Sequence, residues 1–509
     1  MTASAAPESA EVARPPWRLF VALAALPVLD AVFRIGRLHP DEVFQFLDPA
    51  MNRAFGFGVL AWEWQVGLRN WAVPGLFSWL LRACAALGVE DVQARRLVLA
   101  LPQFALHVAL LHSVWRLTAR RVGAAVAPIA VALVGLSPLV VVFAGRTLSE
   151  SISAAFLVVG LERVDARAAD ADGRVAFAGG LLLGLAEVTR YGSAAVIAPA
   201  LLWLAITRRF RALAFTIAGG AVIALGLGLF DRLTWGAVLP AARWGGWWHS
   251  LQEYVDYNLL SGKAEQFGVS PWHYYLPRLL APVGLAGVLL WRWLPATRAL
   301  LFVVPALVYV ASVSVTPHKE DRFLYPALVL LTVAGAPAVA QVLARALGRA
   351  VTVPAAWMGR APGQALVAAV VVASLPPAVP AHLWPELLQG FRPQRAEQFR
   401  LVARASREAT GLVLLPEGLW GSPGSFWMNG SNLMFRGSER APTSTRVWCT
   451  CDFPEDPCFQ FAAGNAVINR GILMLPLDPE RLSRSKAAFE RAGFALADRD
   501  GDGLYFVRR

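Results

Sequence analysis

Apolar runs of roughly 17–25 residues recur along this chain, the length an α-helix needs to cross a bilayer. About eleven are read as spans, near 17–36, 97–115, 122–143, 148–162, 175–189, 191–207, 212–230, 277–294, 298–316, 323–343 and 364–382. One core cannot bury that much apolar surface, and with 56% hydrophobic and 16% charged residues a lone soluble domain is excluded. The pattern predicts an all-α polytopic membrane protein. The formal charge of +12 excludes little by itself. The basic residues sit in small groups between apolar runs and not along one polar face, so no nucleic acid is expected as a partner.

The same basic residues give an orientation, because Lys and Arg gather on the cytoplasmic side. Alternate turns hold Arg116, Arg120 and Arg121, then Arg163, Arg167 and Arg174, then Arg208, Arg209 and Arg211, then Arg292 and Arg298, then Arg345, Arg349 and Arg360. The opposite short turns hold only Arg146, only Arg190, and Lys319 with Arg322. With a cytoplasmic N-terminus, residues 1–16 are an expected disordered cytoplasmic stretch ahead of an uncleaved first span. Residues 17–383 are the expected transmembrane domain, with outer loops at 37–96 and 231–276. Residues 384–509 are the expected exoplasmic C-terminal domain, small and α/β.

Ionisable residues at membrane edges are candidates for function. The first cluster follows span 1: His39, Asp41, Glu42 and Gln45, with Trp62, Glu63 and Trp64 further on. A helix starting at Pro40 puts Asp41 and Gln45 on one face and turns Glu42 aside. A carboxylate aimed into a cavity can act as general base towards a hydroxyl. The same residues also suit a helix N-terminus with an interfacial Trp belt, and both readings stand. The second cluster is TPHKEDRFLYP at 316–326, where His318, Lys319 and Arg322 can hold a phosphate or form a solvated loop neutralised by Glu320 and Asp321. Arg146 and Arg190 can join that anion site or reach lipid headgroups. In 231–276, Trp272, Tyr274 and Tyr275 suit sugar faces, an isoprenoid chain or the membrane interface.

The tail ends FALADRDGDGLYFVRR, which predicts a hairpin turning at Gly-Asp. A calcium loop is disfavoured because Arg509 occupies the position of its bidentate Glu. Cys458 is expected to bond Cys449 or Cys451 on the oxidising side. Zinc is rejected, since the tail beyond Cys458 has neither Cys nor His.

HPDE followed by Gln45 and WEW, with Arg69 and Pro74 after it, resembles the dolichyl-phosphate-mannose-dependent mannosyltransferases, which include the GPI-anchor third-mannose enzyme and the ER α-1,2 and α-1,6 mannosyltransferases. HKEDRFLYP is similar to the late-loop signature of that family, and RTLSE, the Arg190 loop and DRLTWG with Tyr257-Asn258 resemble its other outer segments; Trp235 stands where a Tyr is usual. The likeness covers roughly residues 20–340. It implies a GT-C fold with an exoplasmic or luminal active site and inverting transfer from a polyprenyl-phosphate sugar to a glycan or glycolipid acceptor. Asp41 would then be the base, with Glu42 its neighbour or substitute. His318, Lys319 and Arg322, with Arg146 and Arg190, would hold the donor phosphate, while His39, Gln45, Trp62, Glu63, Trp64, Tyr257, Asn258 and Trp272 would contact substrate. No cofactor is implied, neither nucleotide nor obligatory metal. The alternatives are another lipid-linked sugar, a protein or lipid A-like acceptor, or a lipid-phosphate transporter or flippase. A bacterial cytoplasmic membrane is the expected setting, or the ER membrane in a eukaryote.

Overall fold

The computed structural model describes residues 15–166, 168–239, 243–280, 300–346, 393–416, 421–428, 433–435, 447–475 and 478–509. Up to residue 346 the architecture is helical: α1 (Trp17–Phe33), α2 (Asp48–Phe55), α3 (Ala72–Ala86), α4 (Val92–Arg121), α5 (Ser149–Asp165), α6 (Gly173–Thr189), α7 (Ala194–Ile206), α8 (Phe210–Val238), α9 (Leu300–Val315) and α10 (Tyr325–Ala346), with shorter turns between. Among the described residues, three helical stretches are long and apolar enough to cross a membrane, Val92–Arg121, Phe210–Val238 and Asp321–Gln341. Most of the span expected at 277–294, and all of that at 364–382, lie outside the described residues, so the structure supplies no count of eleven.

Two expectations change. The run at 122–143 is not one helix but two, Ala127–Gly135 and Pro138–Phe143. Pro138 has no N–H to donate and pushes Ser137 to extended dihedrals (φ −55°, ψ 124°), which ends the first helix. The segment 37–96, read as an outer loop, holds α2, α3 and the start of α4. The apolar α3 buries Phe77, Leu81 and Cys84 on one face and leaves Trp79 exposed on the other. Asp91 caps α4 by accepting from the N–H of Ala94 at 2.8 Å, which satisfies one orphan donor of its first turn.

The helices surround one large apolar core that runs from Phe20 through Leu157 and Phe302 to Val339. Backbones of α6 and α8 come so close that a Cβ at Gly180 would overlap the carbonyl of Thr216, and one at Gly219 that of Phe177. Small residues permit such contact where lipid supplies no hydrophobic drive between helices. Val222, Leu225, Leu229 and Leu233 point outward from α8 and are exposed, as a lipid-facing surface requires.

Beyond residue 393 lies a six-stranded sheet ordered β2-β3-β1-β4-β6-β5, with β1 (Gly411–Leu415), β2 (Leu433–Phe435), β3 (Val447–Thr450), β4 (Arg470–Met474), β5 (Phe494–Asp500) and β6 (Gly503–Arg508). The first four are parallel, and β6 and β5 close the edge antiparallel. Helices α11 (Ala396–Glu408) and α12 (Pro479–Arg491) accompany the sheet. The β5–β6 turn is the hairpin read at Gly501-Asp502, and the disulfide joins Cys451 to Cys458.

Candidate active site

Pro40 opens the first functional segment, and its carbonyl accepts from Val43 N at 2.9 Å and Phe44 N at 3.0 Å. The chain then widens into a π turn over Glu42–Leu47 before α2, a distortion that often marks functional sites. Here neighbouring carboxylates part. Glu42 is buried, accepts from Leu38 N at 2.8 Å and faces Arg146 Nη1 at 3.9 Å. Asp41 turns the other way, 2.7 Å from Arg322 Nη2 and 3.3 Å from His39 Nδ1.

Arg322 sits in the short helical turn Asp321–Leu324 that leads into α10. Its guanidinium serves three carboxylates: Nη2 reaches Asp41, Nη1 reaches Glu150 Oε1 at 3.2 Å, and Nε donates to Glu320 Oε2 at 2.7 Å. Glu150, fully buried in the first turn of α5, also accepts from Arg190 Nη1 at 2.7 Å. Arg190 in turn donates from Nε to the Tyr309 hydroxyl at 3.1 Å. Glu320 is shared further by His39 Nε2 at 3.1 Å and His318 Nε2 at 2.9 Å. Segments near residues 40, 150, 190 and 320 thus meet in one charged cluster.

Asp41, His39, His318, Arg190 and Arg322 are brought together; the other residues singled out stand apart. Arg146 is buried, with Nη1 donating to the Gly36 carbonyl at 2.9 Å. The ammonium of Lys319 is spent on the carbonyls of Ser270, Thr316 and Pro317 at 2.9, 2.5 and 3.5 Å, pinning its loop to the 270 segment. Gln45 donates to Glu63 Oε1 at 3.0 Å, which also takes Arg69 Nη2 at 3.1 Å. Trp62 packs on Tyr257 with centroids 4.8 Å apart. Trp64 is buried and donates to the Phe44 carbonyl at 3.2 Å. Asn258 donates within its own turn to the Tyr254 carbonyl at 3.0 Å. Trp272 is exposed and pairs with His273. From the sequence, Glu320 reads as a neutralising charge and Glu150 only as part of RTLSE. The available signal for Glu150 was a carboxylate placed just before the apolar run 152–161.

The electrostatics follow from these distances. Burial would raise Asp41, but the Arg322 guanidinium, and then His39, hold it well below the usual carboxylate range. Burial and Arg322 oppose a charge on His39; Asp41 and Glu320 outweigh them and bring it up to about 9. Glu320, half-buried, is held far down by Arg322 and the two histidines. The cluster is therefore charged and internally paired. Beside it opens a small cleft of about 50 Å³ lined by Gln45, Arg69, Asn70, Ser149, Arg190 and Tyr254 among others. Among the described residues no group of His, Cys, Asp and Glu is arranged to hold a metal ion.

Comparison with known proteins gives this geometry a family. GPI mannosyltransferase 3 of Yarrowia lipolytica is 30% identical over 341 residues, covering 64% of this chain and 62% of that protein. Human GPI alpha-1,2-mannosyltransferase 3 is 23% identical over 313 residues, covering 60% and 54%. The chain thus spans less than two thirds of these curated relatives. In fold it is similar to ArnT from Cupriavidus metallidurans, solved bound to undecaprenyl phosphate, with a TM-score of 0.58 at 14% identity over 96% of this chain and 97% of that one. The model of the Alg9-like mannosyltransferase family matches residues 18–379, and the chain belongs to that family.

Proposed function

We propose that this chain is a multi-pass membrane mannosyltransferase. It takes the sugar from a polyprenyl-phosphate donor and passes it, with inversion, to a hydroxyl of a glycan or glycolipid on the exoplasmic face of a bacterial cytoplasmic membrane. The observation that carries the reading is the 2.7 Å contact between Asp41 and Arg322, which joins two motifs 281 residues apart. The family supports the sugar, and the lipid carrier bound by the fold neighbour supports the donor class.

In this reading Asp41 takes the proton of the acceptor hydroxyl as its oxygen attacks the anomeric carbon. The bond from that carbon to the phosphate oxygen breaks, and the lipid phosphate leaves with one more negative charge. Arg322 and Arg190 stabilise that charge, which is stronger help in an enclosed site than in water. Lys319 and Arg146, engaged with carbonyls, hold the loops that present them. In the resting site Arg322 and His39 neutralise the base. The donor phosphate competes for Arg322, and Asp41 recovers basicity only when donor is present. The sugar approaches through the cleft, whose wall includes Gln45 and Tyr254. Neither nucleotide nor metal enters these steps.

The test is transfer by purified protein in lipid nanodiscs, with synthetic polyprenyl-phosphate mannose and candidate glycolipid acceptors. Asp41→Asn is expected to abolish turnover while donor still binds. Full transfer by that variant refutes the base assignment, and the double change of Asp41 and Glu42 then asks whether Glu42 serves instead.

A further inference from the structure

The π turn that carries Asp41 into α2 is clamped between two surfaces. On one side the Phe44 carbonyl accepts from Trp64 and Gln45 donates to Glu63. On the other lies segment 421–428, which belongs to the C-terminal sheet region. Arg37 Nη1 donates to the Ser422 carbonyl at 2.9 Å. Arg37 and Gln394 also exchange backbone hydrogen bonds, at 3.2 and 2.7 Å. Asp48, fully buried, accepts from Val59 N through Oδ2 at 3.1 Å and from Phe426 N through Oδ1 at 3.4 Å. Phe399, Phe426 and Trp427 share one apolar cluster with Phe46, Leu47, Ala50 and Met51. At the point of contact stands Gly424, with φ +71°; a Cβ there would overlap Val43 and lie 2.6 Å from Asp48 Oδ1. Any side chain at 424 must therefore push on the turn at Glu42–Leu47, which Asp41 immediately precedes.

We propose that the C-terminal domain is a positioning element of the active site. Segment 421–428 fixes the turn at 42–48 and so sets where Asp41 points, with Gly424 as the contact that only a residue without a side chain allows. This rests on the reading of Asp41 as the base. Asp48 holds the joint through the N–H groups of Val59 and Phe426, and its burial, opposed by such donors, brings its carboxyl up to about 6.

The full-length protein in nanodiscs tests it. Gly424→Ala is expected to lower kcat roughly 10- to 100-fold, the cost of a misplacement near 1 Å, with donor KM almost unchanged because the phosphate-binding arginines are untouched. Gly464→Ala, where a Cβ meets nothing within 4 Å, is expected to keep wild-type kinetics. Val43→Ala, which makes room for the new methyl, should restore part of kcat in the Gly424→Ala background. That rescue is what a merely structural role would not give. Phe426→Leu presses on the same joint and carries the test if Gly424→Ala fails to fold. Wild-type kcat in the folded variants, or no recovery on adding Val43→Ala, overturns the proposal. Transfer retained by Asp41→Asn would instead overturn the base assignment beneath it.

Discussion

Replacing Arg322 by Lys keeps the charge and removes the fork. The guanidinium makes contacts of 2.7 Å to Asp41, 3.2 Å to Glu150, and 2.7 and 3.3 Å to Glu320. An ammonium is a compact point donor and cannot span three carboxylates held by three different segments. Hydrogen bonds to charged groups contribute about 1.5–3 kcal/mol each. Losing one or two removes about 3 kcal/mol from transition-state binding, roughly a 10²-fold fall in kcat/KM. Both parameters should move: donor KM rises because the phosphate loses a planar partner, and kcat falls because the developing charge does. The fold should survive, since Glu150 keeps Arg190 at 2.7 Å and Glu320 keeps both histidines. Initial rates across donor concentration, beside a thermal melt of the same preparation, separate the two effects. A folded Arg322→Lys protein with kcat/KM within about three-fold of wild type refutes the assignment of Arg322 to the donor phosphate.

Two further perturbations address the surroundings. Because the folded site raises His39 to about 9, above the ordinary value near 6.5, its charge stabilises the fold fully below about pH 6.5, and that contribution is lost as pH rises through about 9. Melting temperatures of wild type and His39→Gln should therefore differ at neutral pH and converge above about 9; a gap that persists to pH 10 contradicts the pairing with Asp41 and Glu320. The Cys451–Cys458 bond closes a loop of sequence separation 7, for which chain entropy gives about 2.5 kcal/mol. The double Cys→Ser variant should unfold at lower denaturant by that amount, and an unchanged midpoint counts against a structural role.

Much of the fold was legible because lipid leaves so few choices. A backbone in hydrocarbon must satisfy its own polar groups, so each apolar run at α5, α6, α8 and α9 could be read as a helix. Length alone misled where proline intervened. Pro138 splits the run at 122–143, although Pro102, Pro199 and Pro305 lie within continuous helices. The segment 37–96, read as an outer loop, hid α3 because that helix is only 15 residues long, too short to register as a span. The hairpin at the end was visible through its turn, whereas the parallel order β2-β3-β1-β4 depends on crossovers that no local pattern encodes.

The site was legible in one sense and hidden in another. Scarce charge on the side read as outer pointed to His39, Asp41, His318, Arg190 and Arg322, because an unpaired charge at a membrane edge is too costly to keep without use. The same cost decides what pattern reading could not see. Two guanidiniums brought side by side repel each other, and their desolvation must be offset from within the protein. Glu150, between Arg190 and Arg322, and Glu320, between Arg322 and the two histidines, supply that charge. Lys319 shows the converse. Its rarity in an arginine-rich chain made it conspicuous, yet its ammonium closes on three carbonyls, and among the described residues no carboxylate pairs with it. A cation held by neutral dipoles fixes a loop, while one held by carboxylates keeps a place that a phosphate can take.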